Sequence, residues 1–240
     1  MYTIYVEGLD DCPDIMHLVD NKFILLGTNG KYIIGTLSDN EFIIESQLCQ
    51  FAYGETYSSQ IWNNSPNNES IINFRLGNME NSAHISQMSI PIQLYYTSTL
   101  TVQPHQSIIN NFTTNNSLSI SLSNIFAEFK EISLNTCQFY LDMNLQNITG
   151  ITVIELIDGT IKYDKKTFSY IRESDNDDIF CFDLCDKRIN LQIVSDLNSI
   201  EIFINKEKYI GCFQYGSAYD SIKFSNVYIE NLLLYEIHNF

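Results

Sequence analysis

The chain has 240 residues, 45% of them hydrophobic, enough for one large all-β unit or two smaller domains with a buried core and too apolar for a disordered chain. Lys and Arg number 13 against 29 Asp and Glu, a formal net charge of -16. Such a surface repels phosphate backbones and argues against nucleic-acid binding, while neutral sugars are indifferent to it.

The elements predicted along the chain are strands. Met1 to Val6 alternates in polarity. Lys22–Leu26 is followed by a Gly27-Thr28-Asn29-Gly30 turn, then by Lys31–Thr36, a Ser38–Glu41 turn and Phe42–Ile44. Short strands separated by Gly/Asn/Asp/Ser turns at this spacing predict an antiparallel meander of the kind that forms a propeller blade. The stretch 106–116 is polar, rich in Asn and Thr and poor in pattern, and reads as a connecting segment. Beyond it, β-runs are predicted over Cys137–Met143, Gly150–Leu156, Asn190–Val194, Ser199–Ile204 and Asn231–Ile237. In Ser199–Ile204 the isoleucines alternate with Ser199, Glu201 and Phe203, as in a sandwich strand with one face in a core.

No apolar run is long enough for a membrane span, and no signal-peptide pattern opens the chain. The six cysteines (12, 49, 137, 181, 185 and 212) lack paired metal-ligand spacing. These features predict a cytoplasmic protein, no membrane partner, no metal and no cofactor, with reduced and mostly buried thiols. The four histidines show no triad or metal spacing, no serine stands in a Gly-x-Ser-x-Gly context, and no phosphate loop is present.

The most informative segment is Asp11-Cys12-Pro13-Asp14, which resembles the Glu-Cys-Pro-Asp signature of glycoside hydrolase family 32, the β-fructosidases. Further segments resemble that family in the same order: Lys22 to Gly35, Tyr53 to Trp62, Met88 to Leu94, Leu100 to Pro104 and Asp196 to Asn205. The family has a five-bladed β-propeller followed by a β-sandwich. The resemblance therefore implies an all-β fold, with residues 1–105 as a partial propeller of about two blades, 106–116 as the connection and 117–240 as the sandwich.

By the same resemblance Asp11 is the candidate acid/base, where the family has Glu. Cys12, Asp14, Tyr57, Gln60 and Trp62 are the candidate substrate-binding residues, and the implied ligand is a β-fructoside or another carbohydrate. Tyr57 and Trp62 offer aromatic faces and Gln60 an amide, the groups that sugar sites use. An Asp carboxyl stands one methylene, roughly 1.5 Å, behind that of a Glu, which shortens its reach for proton transfer. The segments that carry the family's nucleophile (Asn-Asp-Pro-Asn) and transition-state Asp (Arg-Asp-Pro) do not occur in these 240 residues. Retaining hydrolysis needs two carboxyls about 5–5.5 Å apart, so the resemblance implies a protein impaired or inactive alone. The alternatives are a non-catalytic carbohydrate-binding or assembly module and one half of a split hydrolase. Two blades alone leave apolar surface and strand edges to be covered. Self-association, a complementing N-terminal half, or packing of the blades on the sandwich would each cover them.

Overall fold

A computed structural model describes residues 6–9, 12–38, 41–77, 87–115, 118–147, 150–156, 159–172, 178–196, 199–213 and 221–237. Residues 1–5 of the strand predicted over Met1 to Val6 lie outside them. The chain forms two compact units, Met1–Ile108 with Lys206–Phe213, and Ile109–Asn205 with Gln214–Phe240.

The first unit contains two four-stranded antiparallel meanders. In the first, β1 (Asp14–Val19), β2 (Lys22–Leu26), β3 (Lys31–Ser38) and β4 (Glu41–Ile44) pair in sequence order, and the short β5 (Cys49–Gln50) adds to β3. The predicted turn between β2 and β3 is a single 3-10 turn over Thr28–Gly30. Gly30 there has φ +63°, and a Cβ on it would stand 2.3 Å from that of Ala52, so only glycine fits. After β6 (Ala52–Gly54) the second meander runs β7 (Thr56–Ile61), β8 (Ile71–Leu76), β10 (Ile92–Tyr96) and β11 (Leu100–Pro104), with β9 (Gln87–Met88) a two-residue addition to β8. Each meander is one blade. Ile24, Leu26, Ile33, Ile72, Phe74, Leu76, Ile92 and Val102 are buried in this unit. Phe74 packs between the rings of Phe51 (centroids 5.9 Å apart) and Tyr209 (5.7 Å, stacked).

The connecting segment is a helix, α1 (Gln106–Asn115). Its sequence hides it, because Asn and Thr are weak helix formers and no acidic residue occupies its first turn. Thr113 and Thr114 satisfy their hydroxyls by donating to the carbonyls of Ile109 and Asn110, 2.9 and 2.5 Å away.

The second unit is built on β12 (Leu118–Ser133), β13 (Phe139–Gln146), β14 (Thr152–Leu156), β15 (Gly159–Tyr163), β16 (Thr167–Arg172), β17 (Asp178–Asp183), β18 (Arg188–Asp196) and β19 (Ser199–Ile204). The chain then supplies β20 (Lys208–Phe213) to the first unit, where it pairs in parallel with β6, and ends in β21 (Ser221–Glu236). The two 16-residue strands β12 and β21 pair along their whole length. On its other edge β21 gives residues 223–225 to β14 and residues 228–236 to β13. The long pair is thereby common to two sheets, β17-β16-β15-β14 on one side and β19-β18-β13 on the other, which makes this unit a sandwich.

The corner is made at Asn124 (φ +53°) and Asn226 (φ +54°), left-handed residues inside strands. At these points the inward-facing positions change parity. Ile222 and Phe224 face the core before Asn226, Val227 and Ile229 after it, and Leu232 and Leu234 beyond the next irregularity at 230/231. Strands β14, β15 and β16 keep strict alternation, burying Ile154, Ile161, Tyr163, Phe168 and Tyr170.

Two expectations are corrected. Ser199–Ile204 does form a strand, but it is buried on both faces, Glu201 included. A Ser199 hydroxyl lies 3.5 Å from the Glu201 carboxylate, so polar residues on a strand do not by themselves mark a wet face. The thiols are reduced but not mostly buried: Cys212 is buried, Cys49 and Cys137 are half-buried, and Cys12, Cys181 and Cys185 are exposed. The exposed ones stand in connections or on the edge strand β17, where nothing requires an apolar side chain to be covered.

Candidate functional site

Of the described candidates, Asp14 falls on β1 and Tyr57 and Gln60 on β7, with Cys12 just ahead of β1 and Trp62 just beyond β7; the two strands are the edge strands of the two blades and lie beside each other. Asp11 lies outside the described residues. Cys12 is exposed and has φ +44°, a left-handed turn immediately ahead of Pro13. Asp14 opens β1 opposite Leu26, and its Oδ1 accepts from the Ile15 amide at 2.9 Å. That bond holds the carboxylate against the strand end.

The start of β7 is fixed by glycine. Gly54 has φ +101°, and a Cβ there would lie 2.2 Å from the Gly211 carbonyl oxygen. The close approach lets the Glu55 amide donate to that oxygen at 2.8 Å, while the Glu55 carbonyl accepts from Gly77 at 3.1 Å. A register shift between Thr56 and Ser59 then twists the head of the strand, where Tyr57 is half-buried.

β1 and β7 run in the same direction. The Ser70 hydroxyl donates to the His17 carbonyl in the later half of β1 at 3.1 Å, and neighbouring Ile71 accepts from the Trp62 amide just beyond the end of β7. Asp14 and Tyr57 therefore share one end of the strand pair. Gln60 and Trp62 belong to the other. Five steps of extended chain lead from Tyr57 to Trp62, about 16 Å, so the five described candidates do not form one sugar-sized cluster.

At the far end, Trp62 is 43% exposed, and its Nε1 donates to the Asn73 side chain. Asn73 is buried and donates in turn to the Ser89 carbonyl at 2.5 Å, while the Ser89 hydroxyl accepts from the Phe74 amide at 2.9 Å. The indole is thus an exposed aromatic surface on a fixed mount. Gln60 beside it is exposed, with its amide 3.3 Å from the Ile61 carbonyl. Neither Asn73 nor Ser89 was signalled by the sequence. Both read as ordinary polar residues until the fold buries them under Trp62.

Sequence reading also missed a cleft of about 320 Å³ on the blade unit, lined by Tyr32, Cys49, Gln50, Tyr96, Glu207 and Lys208 among others. Its residues come from separate segments, so no local motif announces it. Lys208 donates to the Gln50 carbonyl at 2.8 Å and lies 5.5 Å from the Tyr53 ring centroid. Burial, with the neighbouring Cys49 as the next cause, pushes the Tyr32 phenol above its usual range and keeps it a neutral donor. Among the described residues no group of three or more His, Cys, Asp and Glu could hold a metal ion, and no helix is long and apolar enough to cross a membrane.

Two consecutive four-stranded blades and a sandwich sharing one long strand pair define the class: the chain has the propeller-plus-sandwich fold of glycoside hydrolase family 32 enzymes, consistent with its C-terminal half. It is similar to the exo-inulinase of Aspergillus awamori (15% identity, TM-score 0.74, over 95% of this chain and 57% of that one). It is similar also to the sucrose-6-phosphate hydrolase of Lactobacillus gasseri (16%, 0.72, 95% and 54%) and to the GH32 β-fructofuranosidase of Bombyx mori (14%, 0.67, 97% and 56%). The chain therefore spans little more than half the length of these structures. By sequence, no protein-family model and no curated protein matches it.

Proposed function

We propose that this chain is a β-fructosidase-type protein that carries the acid/base side of a β-fructoside site and does not hydrolyse fructosides alone. The observation that carries the reading is where the motif falls. The described part of the segment resembling the acid/base signature, Cys12 to Asp14, leads into β1, the edge strand of a blade, at the end it shares with the head of β7. In this reading Asp11 is the proton donor to the leaving oxygen, Asp14 and Cys12 hold its strand, and Tyr57 flanks the sugar. Gln60 and Trp62 meet carbohydrate at the other end of the strands. The nucleophile that retaining hydrolysis requires is not among these residues, so the chain binds without turning over.

A second reading, a half that is completed in trans or by another copy, is favoured by the apolar residues that β1 leaves uncovered. Ile15 is 41% and Val19 38% exposed. Fructose release from sucrose by the purified chain tests the first reading, with none expected even at high protein concentration. Release that disappears in Asp11→Ala would overturn it. Light scattering tests the second. A lone monomer that gains no activity on mixing with the propeller's remaining blades would contradict completion in trans.

A further inference from the structure

The sandwich carries a groove that the reading above does not use. Four neighbouring strands place one row of side chains on the same outward face: Arg188 (β18) is opposite Gln146 (β13), Gln146 opposite Tyr228 (β21), and Tyr228 opposite Phe126 (β12). The inward neighbours of that row, Ile189, Leu145, Val227 and Ala127, are buried core, so this face points away from it. Beside the row, the parity change at Asn124 and 230/231 brings an extra pair outward. Asn124 accepts from the Tyr228 hydroxyl at 3.0 Å, and Glu230 binds Arg188 Nε at 2.9 Å. Asn124, Gln146, Arg188, Tyr228 and Glu230 line a groove of about 550 Å³. Beyond them Asn190, Asn144 and Asn231 are linked by amide hydrogen bonds of 3.0 and 2.6 Å.

We propose that this groove is a second carbohydrate site that holds a neutral fructan chain, an assignment that rests on the β-fructoside reading above. The chemistry selects the ligand class. Phe126, 54% exposed, and Tyr228 form a cross-strand aromatic pair, suited to the C–H faces of a sugar ring. Around that pair Asn124 is held by the Tyr228 hydroxyl, Glu230 by Arg188, and Asn190, Asn144 and Asn231 by one another, which lowers the cost of ordering these groups on binding. The Gln146 amide has no hydrogen-bond partner among the described residues, so a hydroxyl can take it without displacing a protein contact. Arg188 is already compensated by Glu230, and the chain's net charge of -16 repels polyanions, so a phosphorylated or sulfated ligand is disfavoured.

Gel retardation of the full chain by inulin tests the proposal, with dextran as the glucan control. Inulin should retard the protein and dextran should not. Tyr228→Ala and Gln146→Ala should each weaken the apparent affinity, the first about tenfold or more and the second severalfold. Gln146→Ala guards against misfolding, since its side chain makes no hydrogen bond among the described residues, and thermal melting verifies both variants. Retardation by inulin that neither variant changes would overturn the groove and leave the β-fructoside reading intact. Retardation by dextran, lost in Tyr228→Ala, would overturn the fructan assignment together with that reading. No retardation at all would overturn the groove. So would a drop in solution mass on Phe126→Ala, because the aromatic pair would then be a contact between protein copies.

Discussion

The blade unit and the sandwich unit use the same strand chemistry to different ends. In the sandwich, β13, β18 and β19 bury nearly every inward position, and polar residues such as Glu201 and Glu236 are enclosed with partners. In the blade unit the edge strands remain open: Ile15 and Val19 on β1 and Ile43 and Ile44 on β4 are 38–50% exposed. The sandwich encloses the larger core and leaves Phe126 and Phe129 exposed on one strand, β12, whereas among the described residues each of the first blade's two outer strands, β1 and β4, carries exposed apolar side chains. The main core should therefore reside in the sandwich, and the exposed apolar edge strands β1 and β4 in the blades.

That contrast can be broken most severely through the aromatic cores. Phe168→Ala in the sandwich and Phe74→Ala in the blade unit each remove a fully buried ring, at about 3–5 kcal/mol. Urea denaturation should show losses of that size, and a loss below about 1 kcal/mol at Phe74 would mean that its stack between Phe51 and Tyr209 is not a packed core. Gly54→Ala comes next, because it meets both a positive φ and the Gly211 carbonyl. On the order of 3 kcal/mol should be lost, with selective loss of hydrogen-exchange protection at β6 and β20.

Glu236→Ala sharpens the sandwich side of the comparison. The buried carboxylate accepts from the Asn135 backbone amide at 2.6 Å and from its side chain at 3.1 Å, so truncation removes two hydrogen bonds to a charged group and should cost about 1–3 kcal/mol. The smallest effect is at Asp164. Backbone amides of Thr167 and Lys166 hydrogen-bond its exposed carboxylate and hold it below its usual range. A depressed folded-state value means the stabilisation is present above the ordinary aspartate range and fades as pH falls through the lowered value. Asp164→Ala should thus melt slightly earlier than the parent at pH 7, and the gap should close in strong acid. An equal gap at both pH values would refute the ionic origin.

How much was legible follows from where the two-residue period holds. The hairpin of β2 and β3, the strand β4 and the runs within β13, β14, β18 and β19 could be read from alternation and turn residues. The strand β12 and the first half of β21 could not. Asn124 and Asn226 flip the parity inside them, so no single face carries a continuous apolar pattern. The helix α1 was legible only as a connection, since its apolar stripe is three residues long, Ile108, Ile109 and the buried Phe112 that packs against Tyr140 at a ring distance of 6.1 Å, set among Asn and Thr. For the site, motif spacing gathered Tyr57, Gln60 and Trp62 into one segment, but extended chain carries Trp62 to the opposite strand end. The groove around Tyr228 was invisible because its residues meet only through strand pairing across four segments.

The most direct test of the central claim joins two readings on one sample: calorimetric titration of the purified chain with sucrose or a short β-fructan, followed by assay of the same solution for free fructose. The account predicts a saturable binding heat, weakened by Tyr57→Ala, and no fructose. Steady release of fructose, lost in Asp11→Ala, would contradict it.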